Sequence, residues 1–240
     1  HDDVVDQGNV RRGVPAARIV YGNAASVLVG DFLMARALEL VVEHGSRRLM
    51  DRLCATIMEM AEGEVLQLVR SGEATLSMDN YHRIIAAKTA GLFSWCCAAG
   101  AERAGASAEV VENAASLGRA FGMAFQVTDD VLDYVSGPET SGKDLANDLQ
   151  QGKMTLPLLV ACELDPGLLR LVKEVCAEGP SESKCSLIVS RVLASGSIER
   201  CIQMAQGHVE TVGEVLRRFP RGRESEAIQR LARQILHRVS

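Results

Sequence analysis

Residues 120–135 read AFGMAFQVTDDVLDYV, an apolar stretch that contains three aspartates, Asp129, Asp130 and Asp133. Its Ala, Phe, Met, Val and Leu residues predict a core helix, because apolar side chains recur at helical spacing. Residues four apart on a helix project about 40° apart around its axis, so Asp129 and Asp133 are expected to lie side by side. Carboxylates on so apolar a helix are costly unless they are paired or bind a metal.

A second cluster with the same spacing, DDVVD, opens the chain and contributes Asp2, Asp3 and Asp6. Like charges four residues apart destabilise an exposed helix by a few tenths of a kcal/mol, and a divalent cation removes that cost. Magnesium uses one or two protein carboxylates and completes its shell with water and substrate phosphates. One such cluster is more simply explained as a solvated helix face. Two clusters on facing helices predict a cage for metal ions and a polyphosphate.

Cationic side chains stand where a phosphate ligand would need them. Arg11 and Arg12 follow the first cluster, and Lys143 and Lys153 follow the second. Lys88 lies in the apolar stretch IIAAKTAGLF, where its ammonium either reaches the surface along its aliphatic stem or faces a polar cavity. These residues are candidates for binding the phosphate groups of such a ligand.

Two uncharged polar residues accompany these groups. Thr89 directly follows Lys88, and Gln126 precedes Asp130 by about one helical turn. Gln126 is either a satisfied core amide or a hydrogen-bond donor to a ligand, and the sequence leaves both interpretations open.

The remaining sequence predicts a single all-helical domain over residues 1–240. Apolar residues make up 47% of the chain and aromatic residues only 4%, which favours helices over strands. No apolar–polar alternation predicts a strand, and residues 136–153 are polar and glycine-rich, which is typical of a surface loop. Apolar periodicity predicts helices over residues 24–42, 46–69, 79–103, 108–134, 167–177, 181–194, 198–216 and 223–237, with a further buried helix at TLPLLVAC. Asp79 is the predicted N-cap of the third, and Pro157 suits a first helical turn.

Charge, cysteine usage and hydropathy exclude several classes of protein. The net charge is −5 and no basic run stands out, so nucleic acid is not an expected partner. Seven cysteines without a C-x-x-C pair predict small buried residues in a reducing compartment. No apolar run approaches the ~20 residues of a membrane span, so we expect no transmembrane segment and a cytoplasmic location.

Taken in order, these residues resemble the trans-isoprenyl diphosphate synthases, also called polyprenyl synthetases. HDDVVDxxxxRRGxP resembles the family's first aspartate-rich motif, and GxAFQxxDDxLDY resembles the second. GNAASVLVGDFL, AEGEVLQL and the Lys-Thr pair match between them, and GKDLANDLQQGKMTLPLL resembles the family's GKxxGxDLxxGKxTLPL. The matches extend from His1 to Leu159, and the rest of the chain carries no motif of the family.

The resemblance implies an all-α isoprenoid-synthase helical bundle around a deep central cavity, usually as a homodimer. It implies a magnesium-dependent head-to-tail condensation of isopentenyl diphosphate with an allylic diphosphate, which yields a trans-polyprenyl diphosphate. The allylic diphosphate ionises, isopentenyl diphosphate attacks the cation, and a proton leaves. HDDVVD and AEGEVLQL are most similar to long-chain synthases of quinone side chains, with a short-chain farnesyl or geranylgeranyl product as the alternative. Loose membrane association through the lipid product is also expected.

The resemblance also assigns roles to individual residues. Metal ions are assigned to both clusters, with Asp2, Asp6 and Asp129 as direct ligands and Asp3, Asp130 and Asp133 completing the clusters. The allylic diphosphate is assigned to Arg11, Lys88 and Lys143, joined by Lys153 when the loop closes. Arg12 would contact isopentenyl diphosphate. Thr89 and Gln126 would face the cation and the leaving group, and Phe93, Ser94 and Cys97 either line a product tunnel or belong to the core.

Departures from the family pattern lead to a further expectation and leave alternatives open. Family members carry helices before the first motif, including a GGKRxRP-like segment that binds isopentenyl diphosphate. No such segment occurs here, so we expect the printed chain to be part of a longer protein with its N-terminal helices missing. Asp144 and Ala146 stand where many members have Pro and Gly.

Two other functions stay open. A class I terpene cyclase also uses a first DDxxD, but DDVLDYVSG lacks the serine and glutamate typical of its second metal site. A subunit of a heteromeric prenyl synthase often loses one aspartate cluster, whereas this chain keeps both.

Overall fold

The structure is a computed structural model that describes residues 1–11, 13–70, 77–135 and 153–239. Helices dominate these ranges, which confirms the predicted all-α class. The chain forms two compact units, His1–Cys54 and Ala55–Ser240, here called the N-terminal unit and the C-terminal unit. The single domain predicted for residues 1–240 stays a prediction.

The N-terminal unit begins with a short helix and a two-stranded ribbon. Helix α1 spans Asp2–Val5, and the two-residue strands β1 (Val10–Arg11) and β2 (Val14–Pro15) pair antiparallel. The sequence predicts no strand, so this ribbon departs from the prediction. Gly13 lies between the strands with φ of 79°, a conformation that glycine adopts without steric cost.

Helix α2 (Ala17–His44) forms the rest of the N-terminal unit together with the start of α3 (Arg47–Arg70). The chain becomes helical before the predicted residue 24, and Gly22 interrupts the helix with φ of 83° and ψ of 164°. Helix α2 ends at Gly45, the predicted stop, and α3 matches the predicted 46–69 to within one residue. None of the 28 residues of α2 is buried, although many of them are apolar.

The C-terminal unit contains the remaining helices. They are α4 (Met78–Ile85), a π-helical turn (Ala86–Ala90), α5 (Gly91–Arg103), α6 (Ala108–Val135), α7 (Leu156–Leu164), α8 (Pro166–Glu178), α9 (Glu182–Ala194), α10 (Ser197–Leu216) and α11 (Arg223–Leu236). The predicted N-cap Asp79 is wrong, because Ser77 Oγ accepts the bond from the Asn80 amide at 3.2 Å and Asp79 lies in the first turn. Pro157 does stand in the first turn of α7.

Helix α6 is the central element of the C-terminal unit, because its buried residues pack against α5, α10 and α7. Two glycines permit the close approach of α5. A Cβ added at Gly118 would lie 2.3 Å from the Phe93 carbonyl oxygen, and one at Gly122 would lie 2.7 Å from Ala90 Cα. These contacts hold the residues that follow Lys88 against the face of α6 that carries the second aspartate cluster.

Among the described residues, one helical segment is long and apolar enough to cross a membrane. It spans Met78–Arg103, with a mean hydropathy of 1.4 and 28% of its 18-residue window buried. This criterion alone is weak evidence, since core helices of globular proteins also meet it. The absence of a transmembrane segment is therefore not confirmed and stays a prediction.

All seven cysteines carry free thiols. Cys162, Cys185 and Cys201 are buried, as predicted, whereas Cys54 and Cys96 are exposed. The prediction of buried cysteines is therefore wrong for these two. Both stand on outward-facing positions of helices, which the cysteine count and spacing could not reveal.

Candidate active site

The first aspartate cluster lies on α1 and the turn that follows it. Asp2 and Asp6 each place a carboxylate oxygen within 4.8 Å of the other, as the spacing of four residues predicts. The Asp6 amide donates to the Asp2 carbonyl at 2.8 Å, which closes the helical turn between them. Two aspartate oxygens at this separation suit a hard divalent cation.

His1 fixes this cluster against α2. Its Nε2 lies 3.0 Å from the Val27 carbonyl oxygen and 2.9 Å from Asp31 Oδ1. A Cβ added at Gly30 would lie 2.8 Å from the His1 ring, so the ring requires a residue without a side chain there. The histidine before the motif therefore anchors α1 within the N-terminal unit.

Arg11 pairs with the first cluster in this structure. Its Nη1 donates to Asp3 Oδ1 at 2.8 Å, and more than half of the Arg11 side chain is exposed. An exposed pair of this kind contributes about 0–1 kcal/mol, so a diphosphate could displace it at little cost. The predicted phosphate role of Arg11 stays a prediction, and Arg12 and Lys143 lie outside the described residues.

The second cluster lies at the C-terminal end of α6, and its three aspartates differ in environment. Asp129 is partly exposed and forms an ion pair with Arg238, whose Nη1 lies 2.9 Å from Asp129 Oδ1. The Arg238 guanidinium also lies 5.5 Å from the centre of the Phe125 ring, at a distance typical of a cation–π contact. Asp133 is exposed, whereas Asp130 is only 5% exposed.

Asp130 is saturated by hydrogen bonds from the protein. It accepts from Tyr81 Oη at 2.8 Å, from Gln126 Nε2 at 2.9 Å and from the Leu156 amide at 3.2 Å. Burial raises the pKa of Asp130, the three donors oppose that rise, and the charge of Asp129 adds to it. Because all three donors belong to the protein, the surroundings of Asp130 fit a structural role better than direct binding of a ligand. The metal role of the whole cluster stays a prediction.

A hydrogen-bonded chain joins the Lys-Thr pair to this cluster. Thr89 Oγ1 donates to Gln126 Oε1 at 2.7 Å, and Gln126 Nε2 donates to Asp130 Oδ1. Gln126 is therefore a satisfied amide whose orientation is fixed at both ends. Tyr81, which the sequence analysis missed, completes the chain. Burial and the Asp130 charge raise the pKa of Tyr81 well above its usual value, so its hydroxyl remains a donor.

Lys88 lies in the π-helical turn, and its ammonium contacts two side chains of α3. Its Nζ lies 2.5 Å from Glu64 Oε2 and donates to Gln67 Oε1 at 2.9 Å. Only a quarter of the Lys88 side chain is exposed, so it does not extend to the surface. Both partners lie in AEGEVLQL, a stretch that resembles the family but gives no role to either residue from sequence alone.

The remaining residues to which the resemblance assigns a role differ in their surroundings. Lys153 is partly buried shortly before α7, and its phosphate role stays a prediction. Phe93 and Cys97 face α6, where the Phe93 ring stacks on Phe121 with centroids 5.7 Å apart and Cys97 joins the cluster around Leu117. Their contacts are those of core residues.

Comparisons with known proteins agree on one family. The sequence model of the polyprenyl synthetase family matches residues 1–193. Octaprenyl diphosphate synthase of Escherichia coli is 36% identical over 233 residues, which cover 97% of this chain and 72% of that protein. The all-trans-nonaprenyl-diphosphate synthase (geranyl-diphosphate specific) of Rhodobacter capsulatus is 37% identical over 240 residues, 100% of this chain and 73% of that protein.

A solved structure gives the same result. The crystal structure of a polyprenyl synthase from Caulobacter crescentus, complexed with calcium and isoprenyl diphosphate, is 38% identical. It superposes with a TM-score of 0.92 over 100% of this chain and 74% of that one.

Proposed function

Because the chain belongs to the polyprenyl synthetase family, we propose that it condenses isopentenyl diphosphate head-to-tail with an allylic diphosphate to make a trans-polyprenyl diphosphate. The protein is a prenyltransferase. The observation that carries this function is the hydrogen-bonded chain from Thr89 through Gln126 to Asp130, which joins the Lys-Thr pair to the second aspartate cluster. Relatives named for octaprenyl and nonaprenyl products support a long-chain product.

The residues of the C-terminal unit suit the ionisation step. Breaking the allylic C–O bond places negative charge on the departing diphosphate, and fixed cations and donors stabilise such charge. Lys88 supplies a held ammonium, and Thr89 and Gln126 supply oriented dipoles beside it. Isopentenyl diphosphate then forms the new carbon–carbon bond and loses a proton, for which the departing diphosphate is the proposed acceptor.

A divalent metal fits the donor set, and we propose Mg²⁺. The donors are aspartate oxygens, Asp2 and Asp6 approach each other closely, and Asp129 is accessible on α6. Such oxygen sets suit Mg²⁺ or Ca²⁺, and a structural neighbour is described as complexed with calcium. When bound, the ion would neutralise diphosphate charge as a Lewis acid.

Chain elongation by the full-length protein tests this function. The protein is incubated with MgCl₂, farnesyl or geranyl diphosphate and labelled isopentenyl diphosphate, and products are sized by mass spectrometry. We expect a ladder of prenyl diphosphates that ends at a long chain, and loss of activity on chelation. Cyclic hydrocarbons would instead indicate a terpene cyclase, and activity only with a second polypeptide would indicate a heteromeric subunit. No product under any of these conditions would refute the proposal.

We further propose that α2 packs against a second copy of the chain. Its exposed apolar residues include Tyr21, Leu28, Phe32 and Val42, each at least two-thirds exposed. An apolar helix without a buried residue has a face that is expected to be covered. Light scattering should give twice the chain mass for the protein and a smaller mass for Phe32→Asp. The control His44→Gln, at an exposed position on another side of α2, should leave the mass unchanged. A monomeric wild-type protein would contradict this proposal.

A further inference from the structure

Glu64 holds the ammonium of Lys88 from the facing helix. Its Oε2 lies 2.5 Å from Lys88 Nζ, and both side chains are about three-quarters buried. Gln67, one turn further along α3, accepts a second bond from the same ammonium. An ammonium has three donors, so these two partners fix its direction and leave a third donor for a ligand.

The geometry of Glu64 is poor for a pair that serves stability alone. Its second oxygen, Oε1, is buried and has no hydrogen-bond partner within the described part of the chain. A buried acceptor without a partner costs about 1–3 kcal/mol, and such groups in native proteins call for a functional explanation. Replacing a buried ion pair by apolar residues is often neutral or stabilising, so the pair by itself is weak evidence for a role in stability.

We infer that Glu64 is a positioning residue that aims the Lys88 ammonium at the substrate's diphosphate and competes with that diphosphate for it. This inference rests on the proposed function. Glu64 carries a negative charge next to the cation that the diphosphate needs, so it weakens binding of the substrate. It also fixes the cation in one direction, which preserves the stabilisation of charge that develops as the diphosphate departs.

The inference predicts opposite effects on binding and on turnover. Glu64→Gln keeps the size of the side chain and removes its charge. We expect the variant to bind inorganic diphosphate about tenfold more tightly, with a lower KM for the allylic diphosphate. Its kcat should fall about tenfold because the ammonium is less well oriented. A purely structural role for Glu64 would not produce this split between KM and kcat.

Matched variants isolate the contact with Lys88. Glu62→Gln makes the same change of charge at an exposed position of α3, and it should leave binding and kcat within twofold of wild type. Glu64→Asp keeps the charge but shortens the side chain by one methylene. It should bind diphosphate about as wild type does and have a lower kcat, because the ammonium is less well oriented. In the Lys88→Gln background, Glu64→Gln should have no further effect, because coupled residues give non-additive changes.

Calorimetry with inorganic diphosphate at constant excess MgCl₂ measures binding without turnover. Circular dichroism establishes that each variant is folded. If Glu64→Gln does not fold, Glu64→Asp tests the inference alone, and a kcat equal to that of wild type would overturn it. Equal diphosphate affinity of wild type and Glu64→Gln, or additive effects with Lys88→Gln, would overturn the inference. If wild type makes no product but Glu64→Gln still binds diphosphate more tightly, only the proposed function fails.

Discussion

Asp130 belongs to the second aspartate cluster, yet its carboxylate accepts hydrogen bonds from neighbouring protein groups. It is the second aspartate of its cluster, but its side chain points into the core and receives donors from three different elements, α4, α6 and the start of α7. Buried carboxylates persist when such donors replace water. Asp130 therefore locks Gln126 and Tyr81 in place while Asp129, next to it, stays accessible.

Tyr81→Phe removes one of these donors and should destabilise the protein in a pH-dependent way. A hydrogen bond to a charged group contributes about 1.5–3 kcal/mol. The folded-state pKa of Asp130 is raised, so its stabilising contribution is complete below its unfolded pKa and is lost as the pH rises through the folded value. Without the Tyr81 donor that pKa should rise further. The stability defect should therefore be larger at pH 7.5 than at pH 4.5.

Urea unfolding at the two pH values measures this difference. Ser183→Ala, which removes a hydroxyl at an exposed position of α9, is the control and should change stability little at either pH. A Tyr81→Phe defect of the same size at both pH values would contradict the role assigned to the Asp130 charge.

Among the elements, the packing of α5 on α6 controls the geometry of the candidate site. Gly122→Ala would place a methyl group 2.7 Å from Ala90 Cα, and Ala90 directly follows Thr89. Overpacking costs about 1–3 kcal/mol, which outweighs the roughly 1 kcal/mol that alanine gains over glycine within a helix. We expect a net loss of stability together with a lower kcat, because the Thr89–Gln126 bond is displaced.

Gly100→Ala is the matched control within α5. A Cβ there meets nothing within 4 Å, so this variant should be about 0.5–1 kcal/mol more stable and fully active. Thermal unfolding and elongation assays on both variants check the prediction. Equal stability changes for the two substitutions would show that the close approach of α5 and α6 is not rigid.

The start of α4 provides a second test among the elements. Ser77→Ala should cost about 1 kcal/mol, because it removes the acceptor for the Asn80 amide. Asp79→Asn should cost less, since a first-turn carboxylate contributes only its interaction with the helix dipole, about 0.3–1 kcal/mol. Chemical denaturation measures the free energy of unfolding of both variants. A larger loss of stability for Asp79→Asn than for Ser77→Ala would indicate that Asp79 is the N-cap.

Helices with strong periodicity were predictable from the sequence, and local irregularities were not. The bounds of α3, α6 and α9 agree with prediction within about two residues, since glycine and serine signals flank clear apolar patterns. Ser77 and Asp79 are both good N-caps, so local chemistry alone could not choose between them. The π-helical turn at Ala86–Ala90 holds Lys88 and Thr89 and packs against α6, and nothing in the composition of AAKTA predicts it.

In the candidate site, too, the contacts between residues close in sequence were predictable and the contacts between distant residues were not. Residues four apart, such as Gln126 and Asp130, could be placed on one face from spacing alone. The partners of Lys88 lie 24 and 21 positions earlier on another helix, so no local pattern relates them. Arg238 is likewise far from Asp129 in sequence and becomes its neighbour only through the fold.

For the molecule as a whole, the rates at which the seven thiols react with an alkylating reagent report how far folding buries each part of the chain. The thiolate is the form that reacts with alkylating reagents. Burial, reinforced by Asp165, raises the pKa of Cys162 to about 11, and burial, reinforced by Asp130, raises that of Cys201 to about 12. Both thiols are almost entirely protonated at pH 8. Cys54 is exposed, and Cys96 is exposed with a pKa that partial burial raises.

Iodoacetamide at pH 8 should therefore label Cys54 first and Cys96 next, while Cys162 and Cys201 react only when the C-terminal unit opens. Labelling of buried thiols then follows the population of open molecules, so inorganic diphosphate with MgCl₂ should slow it by stabilising the folded state. Peptide mass spectrometry over time gives each rate, and all seven cysteines should react at similar rates in concentrated urea. Labelling of Cys201 as fast as Cys54 in the native protein would contradict the burial of the core around Asp130. That burial is the cause of the raised pKa of both Asp130 and Cys201.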